Sequence, residues 1–103
     1  MMNNRILTSL GLCSKAGKLI FGVPMIIEAM QKGKKIFLVL EASDTSDNTH
    51  KKITDKCSFY GVEKIRLDFD GGNIASFVGK SSSLAAVAIT DEGFYKMILK
   101  YFD

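Results

Sequence analysis

Two short, unbroken apolar runs limit what this chain can fold into: residues 36–40 (IFLVL) and residues 84–89 (LAAVAI). Both have the length of a β-strand. A strand in which every residue is apolar must be covered on both faces, whereas a half-exposed strand alternates apolar and polar residues. The two runs therefore predict two buried strands, with 36–40 at the centre of a sheet that carries helices on both faces.

The rest of the chain alternates between helical and strand patterns, with no repeat and no linker. The predicted helices are residues 4–15, Pro24 to about Lys32, 48–60, a brief segment around Ile74, and a last helix capped by Thr90 or Asp91. The predicted strands are residues 19–21, residues 36–40, a short edge-like strand in which Ile65 and Leu67 are the apolar residues, and residues 84–89. This order predicts an α/β fold, a three-layer α-β-α sandwich with a central mixed four-stranded sheet, in one domain spanning residues 1–103.

Size, hydropathy and cysteine usage bear on where such a chain works. Its 103 residues are 47% hydrophobic, which is enough for one core, and no apolar run approaches the length of a membrane span. The residues following Met1 do not resemble a secretory signal. Cys13 and Cys57 are isolated, so we expect two buried, reduced thiols and a cytoplasmic protein; a bridge between them stays an unsupported alternative.

The basic residues are concentrated near the N-terminus. Residues 1–35 hold six basic residues against the single acid Glu28, whereas the remainder holds eight basic and ten acidic residues, and the net charge is only +3. Such an asymmetry favours a polyanionic partner on one face of the molecule. The alternative is that these lysines only keep the protein soluble.

No pattern typical of an enzyme, a metal site or a cofactor site is present. His50 is the only histidine and is expected to be solvated or to cap a helix. The polar segment 41–49 is expected to be a loop; Asp44 and Asp47 in it could hold magnesium, but turn and cap roles explain them better. No nucleophile elbow, P-loop or dinucleotide fingerprint occurs. We therefore expect no catalysis, no metal and no cofactor.

Several segments together resemble a known family. They are residues 10–19 (LGLCSKAGKL), the turn at Gly22, Glu28-Ala29, Gly33-Lys34, residues 38–44 (LVLEASD), Asn48-Thr49, Lys52, residues 54–57 (TDKC), Gly79-Lys80 and residues 87–94 (VAITDEGF). In combination they are similar to the kink-turn-binding ribosomal protein family, and within it to the bacterial YlxQ-like branch. The resemblance covers nearly the whole chain.

The resemblance implies the same sandwich fold and a monomer that binds structured RNA, kink-turn-like or ribosomal, with ribosomal proteins as possible further partners and no membrane. It also implies a surface that joins the start of the second helix to the loop before the last strand. Carried over by position, the binding residues are Lys15, Gly17, Lys18, Gly22, Val23, Pro24, Met25, Glu28, Lys32, Gly79, Lys80, Ser81, Ser82 and Ser83. Free N–H groups at a helix start and nearby lysines suit phosphate. This hypothesis requires Lys18 and Lys80 to share one side of the molecule without acidic partners.

The chain departs from the family pattern after the turn glycine. Strong kink-turn readers carry Gly-x-Asn-Glu there, with a lysine three residues later, whereas this chain has Pro24, Met25 and Glu28. Reading of base edges needs matched donors and acceptors, so these substitutions predict altered RNA specificity. The alternative is a protein-interaction adaptor on the same scaffold that has lost its RNA affinity.

Overall fold

The computed structural model describes residues 2–102, so that the two end residues of the predicted domain 1–103 lie outside the described residues. The helices are α1 (Arg5–Lys15), α2 (Val23–Gln31), α3 (Asp47–Tyr60), α4 (Gly71–Phe77) and α5 (Glu92–Leu99), followed by a 3-10 turn at Lys100–Phe102. The strands are β1 (Leu19–Phe21), β2 (Leu38–Glu41), β3 (Lys64–Arg66) and β4 (Ala86–Ile89). All predicted helices and strands are found, with ends shifted by a few residues.

The strands form one mixed sheet in the order β1-β4-β2-β3. β4 runs antiparallel to both of its neighbours, and β3 runs parallel to β2. The apolar strands β2 and β4 are therefore central and β3 is an edge strand, as predicted. Because β1, β2 and β3 point the same way, the sheet has an upper edge, where these three strands end and β4 begins, and a lower edge, where they begin and β4 ends.

Each central strand sends alternate residues into two separate cores. Leu38 and Leu40 pack with α1, α4 and α5 on one face, whereas Val39 packs with α2 and α3 on the other. In β4, Val87 packs in the first of these cores and Ala88 in the second. Burial on both faces is why these strands are apolar at every position. The predicted three-layer α-β-α sandwich is confirmed.

Several strand boundaries differ from the prediction, and two of the differences have a clear physical cause. β2 extends to Glu41, which was expected in a polar loop but pairs with Arg66 of β3 and is completely buried. β4 begins at Ala86 rather than Leu84, because the Leu84 N–H donates to the carbonyl of Gly71 instead of joining the sheet. Hydropathy cannot detect either change, because both depend on which backbone or side chain lies opposite.

Of the five helices in residues 2–102, α3, α4 and α5 begin at side-chain caps. Ser46 accepts a hydrogen bond from the Thr49 N–H at the start of α3, and Asp70 does the same for Asn73 at the start of α4. Of the two candidates for the last helix, Asp91 is the cap, since its carboxylate accepts from the Phe94 N–H. None of the helices in residues 2–102 has the length and apolar character that a membrane crossing requires.

Candidate functional site

A groove opens at the upper edge of the sheet, where α2, α3 and the segment before β4 meet. Its volume is about 330 Å³, and it is lined by Gly22, Val23, Pro24, Thr49, Lys52, Ser83, Leu84 and Ala85. The ends of parallel strands converge here, which is where open α/β sheets place their ligands. We call this feature the α2–α3 groove.

The start of α2 forms one wall of the groove. Gly22 adopts φ +84°, a conformation that favours glycine, and its N–H donates to the Ala86 carbonyl at 2.9 Å, so that the turn is tied to β4. No side chain caps α2, in contrast to α3 and α4, which also begin at this edge. Pro24 has no N–H, so the free donors of this first turn are the backbone N–H groups of Val23 and Met25.

The loop at residues 79–83 approaches the groove from the other layer. Gly79 has φ +80°, and the Lys80 N–H donates to the Ala75 carbonyl, which continues the end of α4. The Lys80 ammonium lies 4.3 Å from the centroid of the Phe21 ring, at the end of β1. All five residues of this loop are exposed, but among them only Ser83 lines the groove.

Gly71 holds the end of this loop in place. Its N–H donates to Asp44 Oδ1 at 2.9 Å, and its carbonyl accepts from the Leu84 N–H at 3.1 Å. A Cβ at this position would lie 2.3 Å from Ser83 Oγ and 2.6 Å from the Leu84 carbonyl oxygen. The backbone at the groove can therefore be this close to α4 only because residue 71 has no side chain.

The remaining predicted residues lie away from the groove. Lys15 ends α1, and Gly17 and Lys18 lie in the turn before β1 at the lower edge, where the Lys18 carbonyl accepts from Thr90. The four residue steps from Lys18 to Gly22 correspond to about 13 Å along the strand. β1 therefore separates the lysines at residues 15 and 18 from Gly22 and the start of α2.

The outer face of α2 carries the rest of the predicted set. Met25, Glu28 and Lys32 line a shallow cavity of about 200 Å³ beside Ile20 and Lys34. Met25 is 55% exposed. Glu28 and Lys32 pair with each other at 3.1 Å, so their charges largely cancel.

Three lysines, Lys52 at the groove, Lys80 at the upper edge and Lys18 at the lower edge, keep their charge available. Among residues 2–102, no ion pair involves Lys18, Lys52 or Lys80. The hypothesis required Lys18 and Lys80 to lack acidic partners and to share one side of the molecule. The first requirement is met, since no ion pair in residues 2–102 involves either lysine. The second is not met, because the two lysines lie at opposite ends of β1.

A charge cluster around the buried carboxylate of Glu41 lies under the start of α3. Glu41 accepts hydrogen bonds from Lys64 Nζ at 2.5 Å and from His50 Nδ1 at 2.6 Å, and Arg66 Nε lies 3.9 Å from its carboxylate. Burial by itself would raise the pKa of Glu41, but the hydrogen bonds and charges of Lys64 and His50 hold it below its usual value. Glu41 is therefore ionised near neutral pH.

This cluster refines the prediction for His50, whose side chain is 39% exposed to solvent, as expected, but binds the buried carboxylate of Glu41 instead of capping a helix. It also supports the loop between β2 and α3, because Arg66 donates to the carbonyls of Ser43 and Thr45. Glu41 was not predicted as a structural residue, and Thr49 and Lys52 were not predicted as residues of the groove. All three belong to segments that carry the family resemblance, and that was the available signal.

Other candidate chemistry is explained by structural roles. Asp44 accepts from the Gly71 N–H, and residues 2–102 contain no group of three or more potential metal ligands. Cys13 and Cys57 are buried and unbridged; burial is the main cause that raises the pKa of Cys13 to about 12 and that of Cys57 to about 11, so both stay protonated. A larger cavity of about 570 Å³ beside Arg66 and Tyr101 contains none of the predicted residues.

Comparisons with known proteins agree with this fold. The profile of the ribosomal protein L7Ae/L30e/S12e/Gadd45 family matches residues 4–99. The chain is 33% identical over 94 residues to the RNA-binding protein YlxQ of Bacillus subtilis (strain 168), covering 91% of each chain. It is 38% identical over 87 residues to the protein of the same name from Enterococcus faecium, covering 84% of this chain and 81% of that one.

Solved structures show the same architecture. A protein of unknown function from Bacillus halodurans C superposes with a TM-score of 0.84 at 26% identity, covering 96% of this chain and 97% of that one. The 15.5kD RNA binding protein of Giardia lamblia superposes with a TM-score of 0.74 at 14% identity, covering 96% and 86%. The second likeness bears on the fold alone.

Proposed function

Because the chain belongs to the ribosomal protein L7Ae/L30e/S12e/Gadd45 family, we propose that residues 1–103 act as one cytoplasmic domain that binds structured RNA at the α2–α3 groove. Two relatives that match over most of the chain are named RNA-binding proteins. Family membership also supports the expectation that the chain is not an enzyme. The RNA we propose is kink-turn-like or ribosomal, with specificity altered by Pro24, Met25 and Glu28.

The observation that supports this site best is the uncapped start of α2 beside unpaired lysines. A helix start offers free N–H groups and a partial positive charge, which together attract phosphate. The N–H groups of Val23 and Met25 are available at this turn, and Lys52 lines the same groove. Lys80 approaches from the opposite layer, so a phosphate backbone crossing the groove would meet cations on both sides.

Charge reversal at the groove is expected to weaken RNA binding. Lys52→Glu and Lys80→Glu should each lower the affinity for a kink-turn RNA about tenfold at moderate salt, and each should reduce the slope of log affinity against log salt by about one. The measurement is fluorescence anisotropy across a salt series, with a plain duplex as the second RNA. Lys100→Glu, the same charge change after α5 in the opposite layer, is the matched control and should have little effect.

The result also separates the two candidate functions. The exposed thioether of Met25 and the mutual pairing of Glu28 and Lys32 favour a protein-interaction adaptor, because they place apolar and neutralised groups where RNA readers carry polar ones. If neither RNA binds at low salt, the adaptor function replaces RNA binding. Equal losses in Lys52→Glu and Lys100→Glu would instead contradict the assignment of the groove.

Restoring the family pattern is expected to sharpen specificity. The triple variant Pro24→Asn, Met25→Glu, Glu28→Lys supplies a backbone N–H, an amide, a carboxylate and an ammonium group at the start of α2. Its preference for the kink-turn RNA over the plain duplex should rise about tenfold or more, since a matched polar contact to a base edge discriminates by about 1–3 kcal/mol.

The single variant Glu28→Lys is the control for charge. It adds positive charge without the amide or the carboxylate, so it should strengthen binding to both RNAs alike. An unchanged preference in the triple variant would show that the scaffold no longer holds the geometry that reads a kink-turn.

A further inference from the structure

The lower edge of the sheet carries a second surface, on which aromatic rings and lysines alternate. At the end of α3, Phe59 is 79% exposed and Tyr60 is 37% exposed; their rings pack edge to face with centroids 4.9 Å apart. Next to them is a cavity of about 260 Å³, which Tyr60, Lys34 and Lys35 help to line. Of the large apolar side chains exposed in residues 2–102, that of Phe59 is the most exposed.

The surface continues across the beginning of β2. Lys35 Nζ lies 5.3 Å from the centroid of the Phe37 ring, and the Phe37 ring lies 5.8 Å from that of Tyr95 in α5. The Tyr95 hydroxyl donates to Glu63 at 2.8 Å and thus holds that carboxylate beside the ring. In space, the order from Phe59 to Tyr95 is therefore an exposed aromatic pair, two lysines and a half-buried aromatic pair. We call these six residues the lower-edge aromatic surface: Lys34, Lys35, Phe37, Phe59, Tyr60 and Tyr95.

The charge of this edge suits an anion. Lys34 and Lys35 are exposed, and no ion pair within residues 2–102 involves either of them. Lys15 and Lys18 lie at the same edge. The acids of this edge also have partners: Glu63 accepts a hydrogen bond from Tyr95, Asp91 caps α5, and Glu92 pairs with Lys96. The N-terminal surplus of basic residues therefore lies mainly at the lower edge, away from the α2–α3 groove.

We propose that the lower-edge aromatic surface binds unpaired nucleotides of single-stranded RNA. Bases stack on exposed aromatic rings regardless of sequence, and lysines between the rings neutralise the phosphates that join those bases. A protein partner fits less well, because lysine is depleted in protein–protein interfaces. The proposal rests on the proposed function only in taking RNA as the nucleic acid; the site lies at the opposite edge and needs no kink-turn.

The test uses two RNAs and the full chain. One is an oligouridylate of about ten nucleotides, which has no secondary structure and matches the length that one small domain contacts. The other is a kink-turn RNA with blunt ends, which has no single-stranded tail. Phe59→Ala should weaken binding to oligouridylate about tenfold, and Lys34→Glu with Lys35→Glu should weaken it further and flatten its salt dependence. Binding to the blunt kink-turn RNA should change less than twofold in Phe59→Ala.

Phe77→Ala is the matched control, because Phe77 is also a surface phenylalanine, 48% exposed, but lies on α4 in the opposite layer. Its affinity for oligouridylate should equal that of the unaltered chain. Because both rings are exposed, neither variant should unfold the protein. Equal losses in the two phenylalanine variants would overturn the proposal.

The two proposals can fail separately. If oligouridylate does not bind at low salt while the kink-turn RNA does, the lower-edge proposal is wrong and the proposed function stands. If oligouridylate binds through Phe59 while the kink-turn RNA does not bind, the lower-edge proposal stands and the proposed function is wrong. If Phe59→Ala changes no RNA affinity but abolishes self-association in sedimentation, the surface is a protein interface and the proposal is overturned.

Discussion

Replacing Glu41 by leucine should destabilise the folded chain by about 3–5 kcal/mol, because it leaves the cations around a buried carboxylate without their partner. Lys64 suffers most, since its side chain is only 13% exposed and its ammonium binds Glu41 directly. His50 and Arg66 lose the same partner. The measurement is the free energy of unfolding from urea denaturation at neutral pH.

Two variants show whether the effect comes from the unpaired cation. Glu41→Leu combined with Lys64→Met replaces the pair by apolar side chains of similar size, and it should recover most of the lost stability. Glu28→Gln breaks the exposed pair with Lys32 and should cost less than about 1 kcal/mol. If Glu41→Leu were no more destabilising than Glu28→Gln, the cluster would have no structural role.

The pH dependence of unfolding gives a second readout. The pKa of Glu41 is lower in the folded chain than its usual value of 4.5. The folded state therefore gains stability from Glu41 above pH 4.5, and it loses this contribution as the pH falls further, through the lowered folded value. In Glu41→Leu this part of the acid-induced loss of stability should disappear.

The Glu41→Leu variant should also bind RNA less well, because the cluster around Glu41 supports the start of α3, which supplies Thr49 and Lys52.

Gly71→Ala should disrupt the α2–α3 groove although Gly71 itself does not line it. The new methyl group would overlap Ser83 Oγ and the Leu84 carbonyl oxygen, and a carbonyl oxygen cannot move unless its backbone does. We expect a loss of about 1–3 kcal/mol in unfolding free energy, as for overpacking of a filled interior. Affinity for the kink-turn RNA should fall as well, because Ser83 and Leu84 line the groove.

The neighbouring glycine provides the control. At Gly72 the closest atom to an added Cβ is Asp70 Oδ1 at 3.4 Å, which is an ordinary contact, and the residue is exposed within α4. Gly72→Ala should therefore be neutral or stabilise the chain by up to about 1 kcal/mol, since alanine favours helix more than glycine does. Equal effects at both positions would contradict the close approach at Gly71.

Much of the fold could be predicted because it depends on local patterns. The apolar runs at 36–40 and 84–89 identify central strands, since only a strand covered on both faces lacks polar residues. Asp91 was among the predicted caps because an aspartate just before a helix commonly accepts a hydrogen bond from an N–H group of the first turn. The strand order β1-β4-β2-β3 was not predicted, since nothing local in β1 indicates that it pairs with β4, some 70 residues later.

The candidate site was predicted less well, for the same reason. The resemblance indicated the start of α2 and the loop before β4, and the structure places Gly22, Pro24 and Ser83 around one groove. It separates them from Lys15 and Lys18, which are near Gly22 in sequence but lie at the other end of β1. Residues adjacent in sequence need not share a surface when a strand runs between them.

The sequence by itself determined the layers, the helix starts and the family, because periodicity, capping residues and motif spacing depend on neighbours along the chain. Only the tertiary structure decided that Glu41 is buried among Lys64, His50 and Arg66, and that Gly71 and Gly72 have different roles. It also decided that the basic residues of the N-terminal third lie mainly at the lower edge. The physical reason is that burial, close approach and charge pairing depend on which residues lie opposite across the sheet, and that is set by the packing of segments distant in sequence.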